Sequence, residues 1–222
     1  MLELLTSETP NGWKTTIMLE ELGVPYKVTA ISLTDRVQKE DWYVALNPNG
    51  RIPTLIDHDE GDFVIFESGA ILIYLAEKYG RFLPADAKGR SRVIQWLMWQ
   101  MSALGPMMGQ ATVFGRYFED KLPKVIDRYV RESQRLFGVM DKQLADNDYL
   151  AGDYSIADIA CFPWVRGYDW AGIDMSGFDN LQRWFDRIAA RPAVQRGLLI
   201  PEPPKAEEFT EKTTQQGKNI LA

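Results

Sequence analysis

The feature that most constrains this chain is a change of period along its length. Up to residue 80 strand and helix patterns alternate, and after residue 87 only helical spacing remains. Leu2 to Thr6 is a short apolar run suited to a strand, and Thr9-Pro10-Asn11-Gly12 follows as a stretch of turn formers. From Trp13 the pattern is helical, with Ile17, Met18 and Leu22 on one face, and Gly23 and Pro25 stop it. Tyr26 to Ser32 alternates as a second strand, residues 34–46 are polar with a short amphipathic piece, and Asn47-Pro48-Asn49-Gly50 is a turn. Thr54-Leu55-Ile56 and Phe63-Val64-Ile65-Phe66 flank Asp57 to Asp62, which reads as the solvated turn of a hairpin. Ser68 to Tyr79 is a strongly apolar helix that ends at Gly80.

Arg81 to Ala87, with Pro84, reads as a linker. Arg90 to Phe118 is a long helical stretch rich in Trp, Met and Leu, with a kink predicted at Gly105-Pro106. Leu122 to Leu144 continues at helical intervals, and Ser155-Ile156-Ala157-Asp158 opens the next helix as a capping box. Leu181 to Ala190 is amphipathic, and Pro192 begins a short last helix. These patterns predict an α/β domain over 1–80, a linker over 81–87 and an all-helical domain over 88–200. Residues 201–222, rich in Pro, Lys and Glu, read as a loosely packed tail.

Composition narrows the chemistry. The chain has one cysteine, Cys161, and one histidine, His58. An intramolecular disulfide is excluded, and a Cys/His zinc site needs more ligands than exist, so no metal is expected. Cys161 lies in an apolar helical run and reads as a small buried hydrophobe, while His58 lies in the acidic turn. A net charge of −6 argues against a nucleic-acid or membrane partner. No apolar run approaches the ~18 residues of a membrane span. The first residues lack a basic segment, and Glu3 argues against a secretory signal, so a cytoplasmic protein is predicted. If chemistry occurs, the reactive group arrives with a ligand.

The order βαβ, short helix, ββα is that of a thioredoxin-like domain, here followed by an all-helical half. Three segments then resemble one family. Asn49-Gly50-Arg51-Ile52-Pro53-Thr54-Leu55 resembles the G-x-I/V-P segment of glutathione transferases. Phe66-Glu67-Ser68-Gly69-Ala70-Ile71 resembles their E/D-S-x-A-I segment, and Ser155 to Asp158 resembles the capping box in their helical domain. Within that family, Thr9 to Gly12 together with Trp96 to Gln110 resembles the bacterial Nu-class and Ure2-like proteins. The resemblance covers about residues 1 to 200. It implies the glutathione transferase fold, glutathione as cosubstrate, a homodimer, and disulfide reduction more than conjugation.

Each group of glutathione then has a counterpart. Ser68 opens a helix, so its hydroxyl, backbone N–H and helix dipole suit the γ-glutamyl carboxylate, and Glu67 suits the ammonium. Both residues would equally serve as plain capping residues. Ile52 is expected to pair its backbone with the cysteinyl part, and the resemblance implies a cis bond at Pro53. Gln38 and Arg51 are candidates for the glycine carboxylate. Arg128 is a candidate for a glutathione carboxylate or a solvated helix-face charge. At the thiol end, where a thioredoxin carries its redox cysteines, this chain has Thr9-Pro10-Asn11-Gly12, and no tyrosine precedes Tyr26. Thr9 and Asn11 are the donors available to a bound thiolate, or else a loop and cap. Trp96, Trp99, Met107, Met108, Phe114 and Tyr117 would line a second-substrate pocket or pack as core.

Three functions fit these residues. The first is a disulfide-bond reductase that works on glutathione or glutathione disulfide and small disulfides, with transferase or peroxidase side activity. The second is a glutathione S-transferase conjugating small electrophiles. The third is a glutathione-binding scaffold with little turnover.

Overall fold

The structure, a computed structural model, describes residues 1–202 together with Thr214, Gln215, Gly217 and Asn219. Most of the segment expected to be a loose tail lies outside those residues. The described residues divide into two compact units, one made of Met1–Tyr79 and those from Pro192 onward, the other of Gly80–Arg191.

The first unit contains β1 (Leu2–Thr6), α1 (Pro10–Leu22), β2 (Tyr26–Ala30), α2 (Asp41–Leu46), β3 (Thr54–Asp57), β4 (Phe63–Phe66) and α3 (Ser68–Tyr79). The four-stranded sheet has the order β2-β1-β3-β4, with β1 parallel to β2 and antiparallel to β3, and β3 antiparallel to β4. Successive side chains of β1 point to opposite faces. Leu5 joins Ile31 and Tyr43 in a cluster completed by Leu33, Val37, Leu46, Ile52 and Ile56. Leu4 and its partner Leu55 face the other way and are fully buried, as are Ile17, Met18, Ile71 and Leu72 on the helices. Burial of one such aliphatic side chain is worth about 1.5–3 kcal/mol.

One residue of the expected solvated turn is placed differently. Asp57 ends β3 and is fully buried. Its carboxylate accepts from the Tyr74 hydroxyl at 2.6 Å, Lys78 Nζ at 2.5 Å and the Asp59 N–H at 3.1 Å. Burial works to raise its pKa, but the lysine and tyrosine hydrogen bonds outweigh burial and hold it below the usual range. An acidic run in sequence does not reveal which member turns inward to tie α3 to the sheet. His58 does lie in the exposed turn, between Asp62 and Glu3.

The second unit contains α4 (Ala87–Trp99), α5 (Gly105–Thr112), α6 (Pro123–Gln143), α7 (Ile156–Val165) and α8 (Asp179–Ala189). Between α4 and α5 the helix continues through a wide π-type turn at Gln100–Leu104, and a second follows at Val113–Tyr117. Pro106 has no N–H to donate and its ring crowds the carbonyl four residues back. The wide turn ahead of it absorbs both defects, where the sequence predicted a kink.

The capping box opens α7 as expected. Ser155 Oγ accepts from the Ala157 N–H at 3.3 Å, and the Ser155 N–H donates to Asp158 Oδ2 at 3.1 Å. Asp158 is buried and also accepts from the Leu150 N–H at 3.0 Å and Trp184 Nε1 at 2.9 Å. Burial pushes its carboxyl up to about 6, against the pull of these donors. Cys161 is fully buried on the same helix.

The helix α9 (Pro192–Gly197) belongs to the first unit, whereas its place in the sequence predicts the end of the helical half. It packs on α1, with Thr16 Oγ1 donating to the Gly197 carbonyl at 2.7 Å and Arg196 paired with Glu20 at 2.6 Å. An amphipathic period says that a face is covered, not which element covers it. Among the described residues no helix is long and apolar enough to cross a membrane.

Asp158→Ala is expected to lower stability by at least about 3 kcal/mol, because the Leu150, Ser155 and Trp184 donors lose a buried acceptor. The urea midpoint measures this, and a midpoint equal to wild type would show that the carboxylate does not organise α7.

Candidate functional site

Strand direction gathers the chemistry at one end of the first unit. β1, β2 and β4 finish at the end where β3 begins, since Leu5 pairs with Thr54 and Thr54 pairs with Phe66. Thr9 to Gly12, the 31–39 segment with Gln38, Ile52-Pro53, and Glu67-Ser68 therefore all extend from that end. α1 and α3 both start there, so two helix N-termini supply unpaired N–H groups and positive potential.

Thr9 is the N-cap of α1, and its Oγ1 accepts from the Gly12 N–H at 3.1 Å. The capping role is thus realised, and it uses the oxygen as acceptor while the hydroxyl proton stays available to donate. Pro10 occupies the first helical position, where a missing N–H costs nothing. Asn11 is half-buried in the first turn. Gly12 is required by space, because a Cβ there would lie 2.1 Å from the Ser7 carbonyl oxygen and 2.6 Å from Thr6 Oγ1.

Ile52 and Pro53 are presented by a pinned loop. Asn47 Nδ2 donates to the Arg51 carbonyl at 2.6 Å and to Thr54 Oγ1 at 3.0 Å, and the Tyr43 hydroxyl donates to the same carbonyl at 3.0 Å. The Ile52–Pro53 peptide is cis. The Ile52 side chain packs on the cluster around Leu5, Ile31 and Tyr43. Gly50 has φ +58°, and a Cβ there would stand 3.0 Å from the Gln38 carbonyl oxygen, so this loop and the Gln38 turn touch through backbone. Gln38 Oε1 is buried with no hydrogen-bond partner among the described residues. The Arg51 side chain is exposed.

Glu67 and Ser68 follow β4. Glu67 adopts φ +71°, a left-handed conformation that costs a residue with a Cβ roughly 1–2 kcal/mol. Its exposed carboxylate accepts from Asn49 Nδ2 at 3.2 Å. Ser68 is buried as the first residue of α3, and its Oγ accepts from Lys14 Nζ at 3.4 Å. Lys14, Tyr43, Asn47 and Asn49 were not singled out from the sequence. Asn47 and Asn49 stand in a motif legible only as a turn. Lys14 falls one turn after Pro10 and is the one charged residue among those α1 buries, a position that its sequence context does not mark.

Arg128 lies in the second unit, exposed on α6; the Arg135 hydrogen bond holds the carboxyl of Glu132 below the usual range, and the charge of Arg128 adds to it. Of the residues expected around a second substrate, Met108 is buried core and Trp96, Trp99, Met107, Phe114 and Tyr117 are half-buried. Trp96 meets Trp99 edge-on at 5.2 Å, Phe114 stacks on Tyr129 at 5.7 Å, and the Tyr117 oxygen accepts from Trp170 Nε1 at 3.0 Å.

Comparison with known proteins agrees with this layout. The family model "Glutathione S-transferase, N-terminal domain" matches residues 9–78, and "Glutathione S-transferase, C-terminal domain" matches residues 101–192. The chain is 41% identical over 204 residues to the disulfide-bond oxidoreductase YfcG of Escherichia coli, spanning 90% of this chain and 95% of that protein. It is similar in structure to a glutathione transferase from Burkholderia graminis with two glutathione molecules bound per subunit. The TM-score is 0.86 and the identity 44%, over 91% of this chain and 89% of that one. A glutathione transferase from Pseudomonas putida, with one glutathione disulfide bound per subunit, matches with TM-score 0.83 and 43% identity over 90% and 91% of the two chains. A thioredoxin-like unit, an all-helical unit and these likenesses together place the chain in the glutathione S-transferase family, as a homologue of its disulfide-bond oxidoreductases.

Proposed function

We propose that this protein is a glutathione-dependent disulfide-bond reductase whose reactive sulfur is that of glutathione. The observation that carries this reading is the start of α1, where a hydroxyl with a free proton to donate, Thr9, stands in a sequence without sulfur. The one cysteine of the chain is buried on α7. Ser68 and the N-terminus of α3 take the γ-glutamyl carboxylate, Glu67 the ammonium, and the Ile52 backbone the cysteinyl amide. Gln38, through its amide N–H groups, and Arg51 serve the glycine carboxylate. The family resemblance extends the proposal to a homodimer.

Thr9 and Asn11 donate to the glutathione thiolate beside the positive end of α1. Lowering a thiol pKa of ~8.5 by about two units takes about 2.7 kcal/mol, which a helix end and one charge-assisted hydrogen bond can supply. The thiolate fraction rises roughly 25-fold, but the lower basicity removes nearly tenfold of that in nucleophilicity. Most of the acceleration therefore comes from holding the thiolate in line with the target sulfur. The thiolate attacks one sulfur of the substrate, the S–S bond breaks, and the other sulfur leaves as a thiolate that takes a proton. A second glutathione thiolate then attacks the glutathione sulfur of the mixed disulfide. Glutathione disulfide forms and the second substrate thiol is released, so two glutathiones are oxidised for each disulfide reduced.

Turnover of 2-hydroxyethyl disulfide with glutathione, coupled to glutathione reductase, should exceed conjugation of an aryl halide. The reverse order would make the protein a conjugating transferase, and silence in both assays a binding protein. Thr9→Ala and Asn11→Ala should each slow disulfide turnover roughly 10- to 100-fold with glutathione affinity nearly unchanged. Full rates in both variants would remove these residues from the sulfur.

Glu67→Gly relieves a left-handed backbone, so stability should hold or rise by up to about 1 kcal/mol. Glutathione affinity should fall about tenfold with the lost partner of the ammonium. Lower stability with unchanged affinity would make Glu67 a residue of the fold.

A further inference from the structure

Lys14 is 1% exposed and is the one buried lysine or arginine among the described residues. Its buried neighbours on α1 are Trp13, Ile17, Met18 and Leu19 together with the polar Thr15 and Thr16. Dehydrating an ammonium there carries a penalty that a methionine or leucine would avoid. The ammonium lies 3.4 Å from Ser68 Oγ. It can only donate, so the serine oxygen is the acceptor and the single serine proton must point elsewhere. Ser68 heads α3, so that proton and the N–H groups of the first turn serve the same end of the sheet.

We propose that Lys14 is the positioning residue for the γ-glutamyl carboxylate of glutathione. It fixes Ser68 as a donor to that carboxylate and places a buried positive charge behind it. The assignment rests on the glutathione reading above and adds the source of its selectivity. Thr9 and Asn11 act on the sulfur, Glu67 on the ammonium, and the pair Lys14 and Ser68 on the anionic end. A low-dielectric setting strengthens the attraction between the lysine and an entering carboxylate and makes the site discriminate against a ligand that lacks one.

The test is calorimetric titration of the full chain with glutathione and with γ-aminobutyryl-cysteinyl-glycine, which keeps the ammonium and thiol but lacks the γ-glutamyl carboxylate. Wild type should prefer glutathione by tenfold or more. Lys14→Met should weaken glutathione binding about tenfold while its affinity for the analogue changes less than about twofold, and Lys14→Arg should recover part of the preference. Lys14→Gln gives the same reading if the methionine variant does not fold. Equal weakening of both peptides would make the role structural and overturn the assignment, as would an unchanged preference in Lys14→Met. Wild type that takes up no glutathione would overturn the glutathione reading along with it.

Discussion

The carbonyl of Arg51 receives hydrogen bonds from the Tyr43 hydroxyl and from Asn47 Nδ2, and both of those groups also meet Thr54 Oγ1. Proton counting gives the set one direction. Tyr43 gives its one proton to the Arg51 carbonyl, so in its contact with Thr54 the threonine is the donor, while Thr54 Oγ1 accepts from Asn47 Nδ2. Tyr43 and Thr54 are fully buried and Asn47 nearly so, which makes such a chain cooperative and leaves no water to replace a missing member. The network ties the end of α2 to the start of β3. It therefore decides how the chain passes through Ile52 and Pro53, where Asn49 stands to reach Glu67, and how close Gly50 comes to Gln38.

The large divisions of the fold were legible because they depend on local period. Alternation around Leu4 and Leu55, the helical spacing of Ile17, Met18 and Leu22, and the box at Ser155 and Asp158 all correspond to observed elements. Contacts distant in sequence were not legible. Asp57 looked like one more solvated carboxylate until Tyr74 and Lys78 were seen to enclose it. Pro106 announced a disturbance, but a wide π-type turn and a kink have the same sequence signal. At the site, Thr9, Ile52, Glu67 and Ser68 could be named because they stand in motifs. Lys14 could not, because its significance lies in a distance to a residue fifty-four positions away.

The site divides its work between backbone and side chain in a way suited to a ligand that brings its own reactive atom. Its groups are rigid donors and charges: a capping threonine, two helix starts, a carboxylate on a strained residue and a buried ammonium. None must change covalent state for a disulfide to be exchanged. The left-handed Glu67 keeps a carboxylate where glycine would fit the backbone at lower cost.

The attachment of α9 to α1 bears on how the molecule is made. The first unit is discontinuous in sequence, and its closing piece is synthesised after the whole of the second unit. A nascent chain that has emerged as far as Tyr79 has all four strands but lacks the helix that covers Thr16 and pairs with Glu20. At about 5–20 residues per second the wait for that helix is on the order of ten seconds, during which part of α1 lies bare. The helical unit can therefore complete itself first, reversing the order in which the two halves begin to leave the ribosome.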